Sequence, residues 1–195
     1  MNNSKGQKKG FSEKQVKLIK RLLIQEPSKR NLCLFSVQID SMLRSSDVLS
    51  LQVRDIQDHK GKVREEISIK QQKTGTTLSI LLQEDTRKAL TQFLEESGKE
   101  DQDFLFTAAK GNRKEHITLM GHSKLVKKWV SMIGLDPKEY ATHSLRRTKS
   151  AIIYERTGNV EVVRQLLGQT SCVATSRYLG IDKKKSLEIC KGVVL

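Results

Sequence analysis

ATHSLRRTKSAIIYERTGNVEVVRQLLGQTSCVATSRYLG, residues Ala141 to Gly180, orders the rest of this chain. It sets His143 and Arg146 three positions apart, continues in an apolar pattern of helical period, and then carries Leu166-Leu167-Gly168-Gln169 and Tyr178. Residues three apart share one face of a helix, so His143 and Arg146 can address the same object. The chain holds 36 Lys and Arg against 22 Asp and Glu, a formal net charge of +14, so that object is expected to be a phosphate.

At 195 residues the chain can bury the core of one sizeable domain, or of two small ones at most. An apolar fraction of 36% beside a charged fraction of 30% suits a globular protein with a heavily charged surface. No apolar run approaches the ~20 residues of a membrane span. The opening MNNSKGQKKGFSEKQ has no apolar stretch behind its basic residues, so it does not read as a secretory signal and a cytoplasmic location is expected. The basic residues spread along the whole chain and do not gather on one amphipathic helix, which favours nucleic acid over a membrane surface. Cys33, Cys172 and Cys190 form no Cys-x-x-Cys pair. They are expected to be buried reduced thiols, with no disulfide framework and no zinc site. His59, His116 and His122 lack metal-ligand spacing, lie in polar stretches and are expected to be solvated. Neither a metal nor a cofactor is expected.

Taken in order, residues 1–10 are polar, with Lys5, Lys8 and Lys9, and are expected to be a flexible basic segment. Ser12 can cap a helix through Val16, Ile19, Leu22 and Leu23, bounded near Pro27. A second apolar pattern runs from Leu32 to Leu43, and Ser45 or Ser46 could cap the short run that follows. Period-two alternation at Val63–Ile69 and Thr77–Leu81 reads as two strands about a polar turn, and Val53–Ile56 reads as a further strand. Helical patterning returns at 84–97 and 119–133, with a short buried segment at Phe104-Leu105-Phe106 between them. The expectation is a mainly α protein with a small antiparallel β-sheet (α+β), in which residues 11–195 form one domain ending in a short amphipathic helix.

His143-x-x-Arg146, then Leu167-Gly168-Gln169, then Tyr178 nine positions on, resembles the C-terminal motif of the tyrosine recombinases, the phage integrases. The resemblance spans roughly residues 10–190, and the ordered set is far more specific than any single motif. An apolar helix running into Leu43-Arg44, then Ser45-Ser46, Asp47 and leucines, looks like the family's first arginine box. Lys73, ahead of Thr74-Gly75 in the hairpin, matches its strand-borne lysine. The resemblance implies a recombinase catalytic-domain fold, with Arg44, Lys73, His143, Arg146, Gln169 and Tyr178 as the catalytic set. It also implies double-stranded DNA as partner, self-association into dimers or tetramers on that DNA, and a helix near residues 183–195. That helix would either dock on a neighbouring protomer or pack on its own domain. Arg147, Lys149 and Lys70 are expected to touch the DNA backbone.

The chemistry suits these residue types. A tyrosine attacking a phosphodiester must lose a proton from a group of ordinary pKa ~10. Two arginines can clamp the non-bridging oxygens by planar charge-assisted hydrogen bonds. A lysine can protonate the leaving 5′ oxygen, and a histidine can accept the phenol proton. A covalent 3′-phosphotyrosine keeps the energy of the broken bond, so a second hydroxyl can reverse the attack without ATP.

Two departures stand out. Gln169 occupies a position where most members carry His or Trp; it can donate a hydrogen bond but cannot act as a charged acid or base, so weakened cleavage is expected. Only about ten residues precede the first expected helix, where most members carry a separate DNA-clamping domain. The main rival to a recombinase is a catalytically weak DNA-binding paralogue that regulates or assists. A relaxing enzyme like the tyrosine-using topoisomerases is a second.

Overall fold

A computed structural model describes residues 8–108, 112 and 114–181. Nine α-helices and one two-stranded sheet are found among the described residues. α1 (Glu13–Ile24) starts at Ser12, whose hydroxyl accepts the Gln15 N–H while the Gln15 side chain accepts the Ser12 N–H. This reciprocal capping satisfies two donors that a helix start otherwise strands.

α2 (Arg30–Ser41) is the central element: every residue from Leu32 to Ser41 is buried. α1, α5 (Glu84–Ser97), α7 (Thr142–Thr157) and the strand β2 (Thr77–Leu81) pack around it. Phe35 meets Trp129 of α6 (Leu119–Met132) edge to face, with ring centroids 5.5 Å apart. α2 ends at Met42, which adopts φ 51°, a left-handed conformation that β-carbon sterics make uncommon outside glycine. That turn releases Leu43 into the core and brings Arg44 out at the N-terminal end of α3 (Ser45–Leu49).

β1 (Glu66–Lys70) pairs antiparallel with β2 in the register Ile67 opposite Ile80 and Ile69 opposite Leu78. Inward and outward residues alternate, as a sheet with one covered face requires. The mainly α architecture with a small antiparallel sheet agrees with the expectation from sequence.

Four local expectations are corrected. Val53–Ile56 is a helical turn, α4, and not a strand. The Asp55 carboxylate accepts the Gln52 N–H, and the carbonyls of Asp103 and Asp101 take the N–H groups of Val53 and Arg54. Neither Ser45 nor Ser46 caps α3, because Arg44 holds the N-cap position and Ser45 Oγ accepts from Gln38 Nε2. His122 is fully buried and not solvated, since it joins Val126, Trp129 and Val130 on the inner face of α6. Cys172 is exposed, whereas Cys33 is buried as expected and Cys190 lies outside the described residues.

The remaining helices carry the last part of the chain. α7 leads through Gly158 to α8 (Val160–Leu167), capped by the Asn159 side chain on the N–H groups of Glu161 and Val162. α9 (Cys172–Leu179) is capped by Ser171 on the Ala174 N–H. Among the described residues no helix is long and apolar enough to cross a membrane. Residues 1–7 and the segment expected to form the last helix, about 183–195, lie outside the described residues.

Candidate functional site

Three separate chain turns meet where α3, the β1–β2 hairpin and the α8–α9 connection come together. Arg44 reaches the meeting point from the α2–α3 turn and donates from Nη1 to Gln71 Oε1 at 3.0 Å. Arg146, on the second turn of α7, is only 3% exposed and donates from Nη2 to the Leu167 carbonyl at 3.0 Å. Its Nη1 is buried with no hydrogen-bond acceptor among the described residues. A buried guanidinium with an unused donor is costly in water-free surroundings and invites an anion.

Burial lowers the pKa of Arg146, while the neighbouring Tyr178 phenol and Asp47 carboxyl raise it. Asp47 is itself buried, and its Oδ1 accepts the Gln72 N–H at 3.0 Å, which fastens the hairpin turn to α3. His143 lies one helical turn before Arg146 and is exposed. Partial desolvation, then the positive charges of Arg146 and Arg44, hold its imidazole below the ordinary value. It is therefore neutral near pH 7 and able to accept a proton.

Tyr178 sits near the C-terminal end of α9 and is half-buried against the small cluster of Met42, Val163, Leu167 and Leu179. Burial pushes its phenol pKa up; Arg146, the Ser150 hydroxyl and Arg147 pull it back down. A phenol facing two guanidinium groups is a phenol whose anion is stabilised once a base removes the proton.

The other expected site residues are placed less centrally. Gln169 follows Gly168, and its Oε1 accepts the Thr175 hydroxyl at 2.6 Å, which leaves Nε2 to donate elsewhere. Lys73 is exposed on the hairpin turn, and no hydrogen bond or ion pair joins its amine to Arg44, Arg146, His143 or Tyr178. Lys70 is exposed at the end of β1. Arg147 donates to the carbonyls of Leu179 and Lys8, both at 3.3 Å, and so braces the end of the tyrosine helix. Lys149 donates to the Asp40 carbonyl at 2.9 Å.

Gly168 is demanded twice over. Its φ is +60°, and a β-carbon there would lie 2.8 Å from Leu78 Cδ2. Any side chain there would strain the left-handed backbone and press on the Leu78 methyl and the Gln71 amide.

Gln71 is a residue of this arrangement that the motif does not include, whereas Asp47, part of the first arginine box, proves to be the anchor of the hairpin turn. Gln71 had a detectable signal: it continues the inward row Ile67, Ile69 at the same two-residue step and is 1% exposed. A glutamine on a covered face must find partners for its amide. No group of three or more His, Cys, Asp or Glu that could hold a metal occurs among the described residues.

A profile described as "Phage integrase family" matches residues 10–185. The chain belongs to this family, the tyrosine recombinases. Among curated relatives it is similar to a probable integrase/recombinase, YoeC, of Bacillus subtilis, at 27% identity over 172 residues covering 88% of each chain. It is also similar to tyrosine recombinase XerC of Caldanaerobacter subterraneus, at 29% identity over 177 residues. That match covers 87% of this chain but 47% of the XerC chain, so this chain spans about half that relative's length. In fold it is similar to the XerA recombinase crystal structure, with a TM-score of 0.74 at 18% identity, covering 98% of this chain and 65% of that one. XerH bound to a palindromic difH substrate gives 0.74 at 21% identity, covering 97% and 55%.

Proposed function

We propose that this protein is a site-specific recombinase or integrase that cuts and rejoins double-stranded DNA through Tyr178. The observation that carries this reading is the meeting of Arg44 with Arg146 of α7 through Gln71 and the Leu167 carbonyl, with His143 one turn away on the same helix and Tyr178 beside Arg146.

The first step is a transesterification. Tyr178 Oη forms a bond to phosphorus, the bond from phosphorus to O5′ breaks, and a 3′-phosphotyrosine with a free 5′ hydroxyl results. The phenol proton passes to His143, whose neutral imidazole can take it. The proton for the leaving oxygen comes from Lys73, which reaches the site by movement of the exposed hairpin turn. Arg44 and Arg146 bind the non-bridging oxygens, and Gln169 adds a neutral donor from Nε2. Return attack by a DNA 5′ hydroxyl reverses each bond change, so this scheme consumes neither ATP nor a metal. Lys70 contacts the DNA backbone directly, whereas Arg147 and Lys149 exchange their carbonyl partners for phosphate.

Self-association on DNA, as dimers or tetramers, completes the proposal. A lambda integrase structure similar in fold holds a dimer bound to a core site. A cytoplasmic setting is part of the same reading. Gln169 favours one second reading, a DNA-binding paralogue with weak cleavage, because its amide cannot carry a proton as the usual imidazole can.

The test is covalent trapping on nicked duplexes with randomised centres, comparing the wild type with Tyr178→Phe on a denaturing gel. A band in the wild type alone supports cleavage, and sequencing the trapped DNA identifies the site. If neither protein gives a band while both retard DNA on a native gel, the second reading replaces the first.

A further inference from the structure

Gln71 ties together parts of the site that no catalytic side chain connects. Its Oε1 accepts from Arg44 Nη1 at 3.0 Å and from the Thr74 hydroxyl at 2.8 Å. Its Nε2 donates to the Leu167 carbonyl at 3.3 Å. That carbonyl is the one that holds Arg146 Nη2 at 3.0 Å. A β-carbon on Gly168 would come within 3.4 Å of Gln71 Oε1, so the glycine turn is fitted closely to this amide. One buried side chain therefore bonds to the first arginine, shares an acceptor with the second, and holds the turn that carries Lys73.

We infer that Gln71 is a positioning residue of the cleavage site, whose neutral amide fixes the Arg44 guanidinium without cancelling its charge. The inference rests on the proposed cleavage at Tyr178 and deepens it. Arg carries five N–H donors on a long flexible stem, and anchoring one of them aims the remainder. A carboxylate could anchor Arg44 equally well in geometry, but it would compete with the phosphate for the positive charge. An amide supplies the acceptor and leaves the charge for DNA.

The experiment compares the wild type with Gln71→Leu and Gln71→Glu in single-turnover cleavage of the site recovered by trapping. One substrate carries the native phosphodiester and another an uncharged methylphosphonate at the scissile position. Each variant is expected to lose about 10- to 100-fold in rate at saturating DNA, the scale of one charge-assisted hydrogen bond at the reacting centre. The deficit should shrink to a few-fold on the methylphosphonate, which presents no charge for Arg44 to balance. Equal deficits on both substrates, as general loosening would give, overturn the inference; so does unchanged cleavage. Gln71→Glu keeps the size and the acceptor for Arg44 and gives up the donor to the Leu167 carbonyl, so it serves as the second variant should Gln71→Leu not fold.

A second readout needs no cleavage: reaction of Arg44 with phenylglyoxal in DNA-free protein, followed by peptide mass. Gln71→Leu should speed that modification, and an equal rate in both proteins overturns the inference. If the wild type traps no DNA while the variant still speeds the modification, the cleavage reading fails and the positioning role stands.

Discussion

The arginines and the tyrosine stand on unequal foundations. Arg44 and Arg146 emerge from elements anchored in the large core around Phe35, Trp129, Leu43 and Leu145, where side chains are fully buried. Tyr178 rides on α9, which packs with α8 onto a cluster of Met42, Val163, Leu167 and Leu179. α8 and α9 have eight residues each, a length at which a helix in water is marginal without packing. Val162, Leu166 and Val173 on the same pair are exposed. The contrast sets the two arginines on the large core and Tyr178 on two short helices over a small cluster, where local opening is expected to cost least. Such segments are where functional motion concentrates.

The sharpest way to break this comparison is to cut into each cluster and see what unfolds. Trp129→Ala should cost about 3–5 kcal/mol of global stability in denaturant melts. Leu179→Ala should cost about 2–3 kcal/mol or less. Hydrogen exchange should show it opening residues 160–180 while α2 and α6 keep their protection. Equal loss of protection throughout would mean one cooperative unit and no soft segment.

Next in size is Arg146→Ala. Loss of one preorganised donor to a developing oxyanion typically costs about 10²- to 10³-fold in rate. That loss should appear in single-turnover trapping while native-gel retardation of DNA changes little, because retardation draws on many phosphate contacts.

A third prediction concerns acid stability of the rigid side. Desolvation pushes the buried His122 pKa down to about 4, below the ~6.5 of an unfolded chain. The unfolded state thus binds the proton first, so stability is complete above about pH 6.5 and falls as the pH drops toward 4, by about 3 kcal/mol. Unfolding of the wild type across that range, set beside His122→Phe, checks it; the variant should lose most of the slope.

The smallest effect sharpens the electrostatic coupling. In DNA-free protein the His143 imidazole should titrate below the ordinary ~6.5 when followed by NMR. Arg44→Ala should raise that midpoint, since one cation that disfavours the imidazolium is gone. A midpoint that does not move would place Arg44 outside electrical reach of His143.

Much of this fold could be read from residue spacing because the elements are long and regular. Glu84–Ser97 and Leu119–Met132 show helical period, and Thr77–Leu81 alternates cleanly. Val53–Ile56 could not be assigned that way, since four residues fit either period and its N–H groups bond to carbonyls at 101 and 103, far along the chain. Polar neighbours mask the burial of His122, although its spacing to Val126 and Trp129 marks the inner face of α6. The order of Arg44, Lys73, His143, Arg146 and Tyr178 was visible as a motif, but the way the site is held together was not. Gln71 contacts partners 27 and 96 positions away, and no local pattern announces a hydrogen bond of that span.

The measurement that bears most directly on the account is mass mapping of the DNA-linked peptide after trapping and nuclease and trypsin digestion. The account predicts a nucleotide adduct on the peptide from Tyr178 to Lys183, attached through the 3′ phosphate. An adduct on Tyr154, on Tyr140 or on a serine would contradict it, as would linkage through a 5′ phosphate.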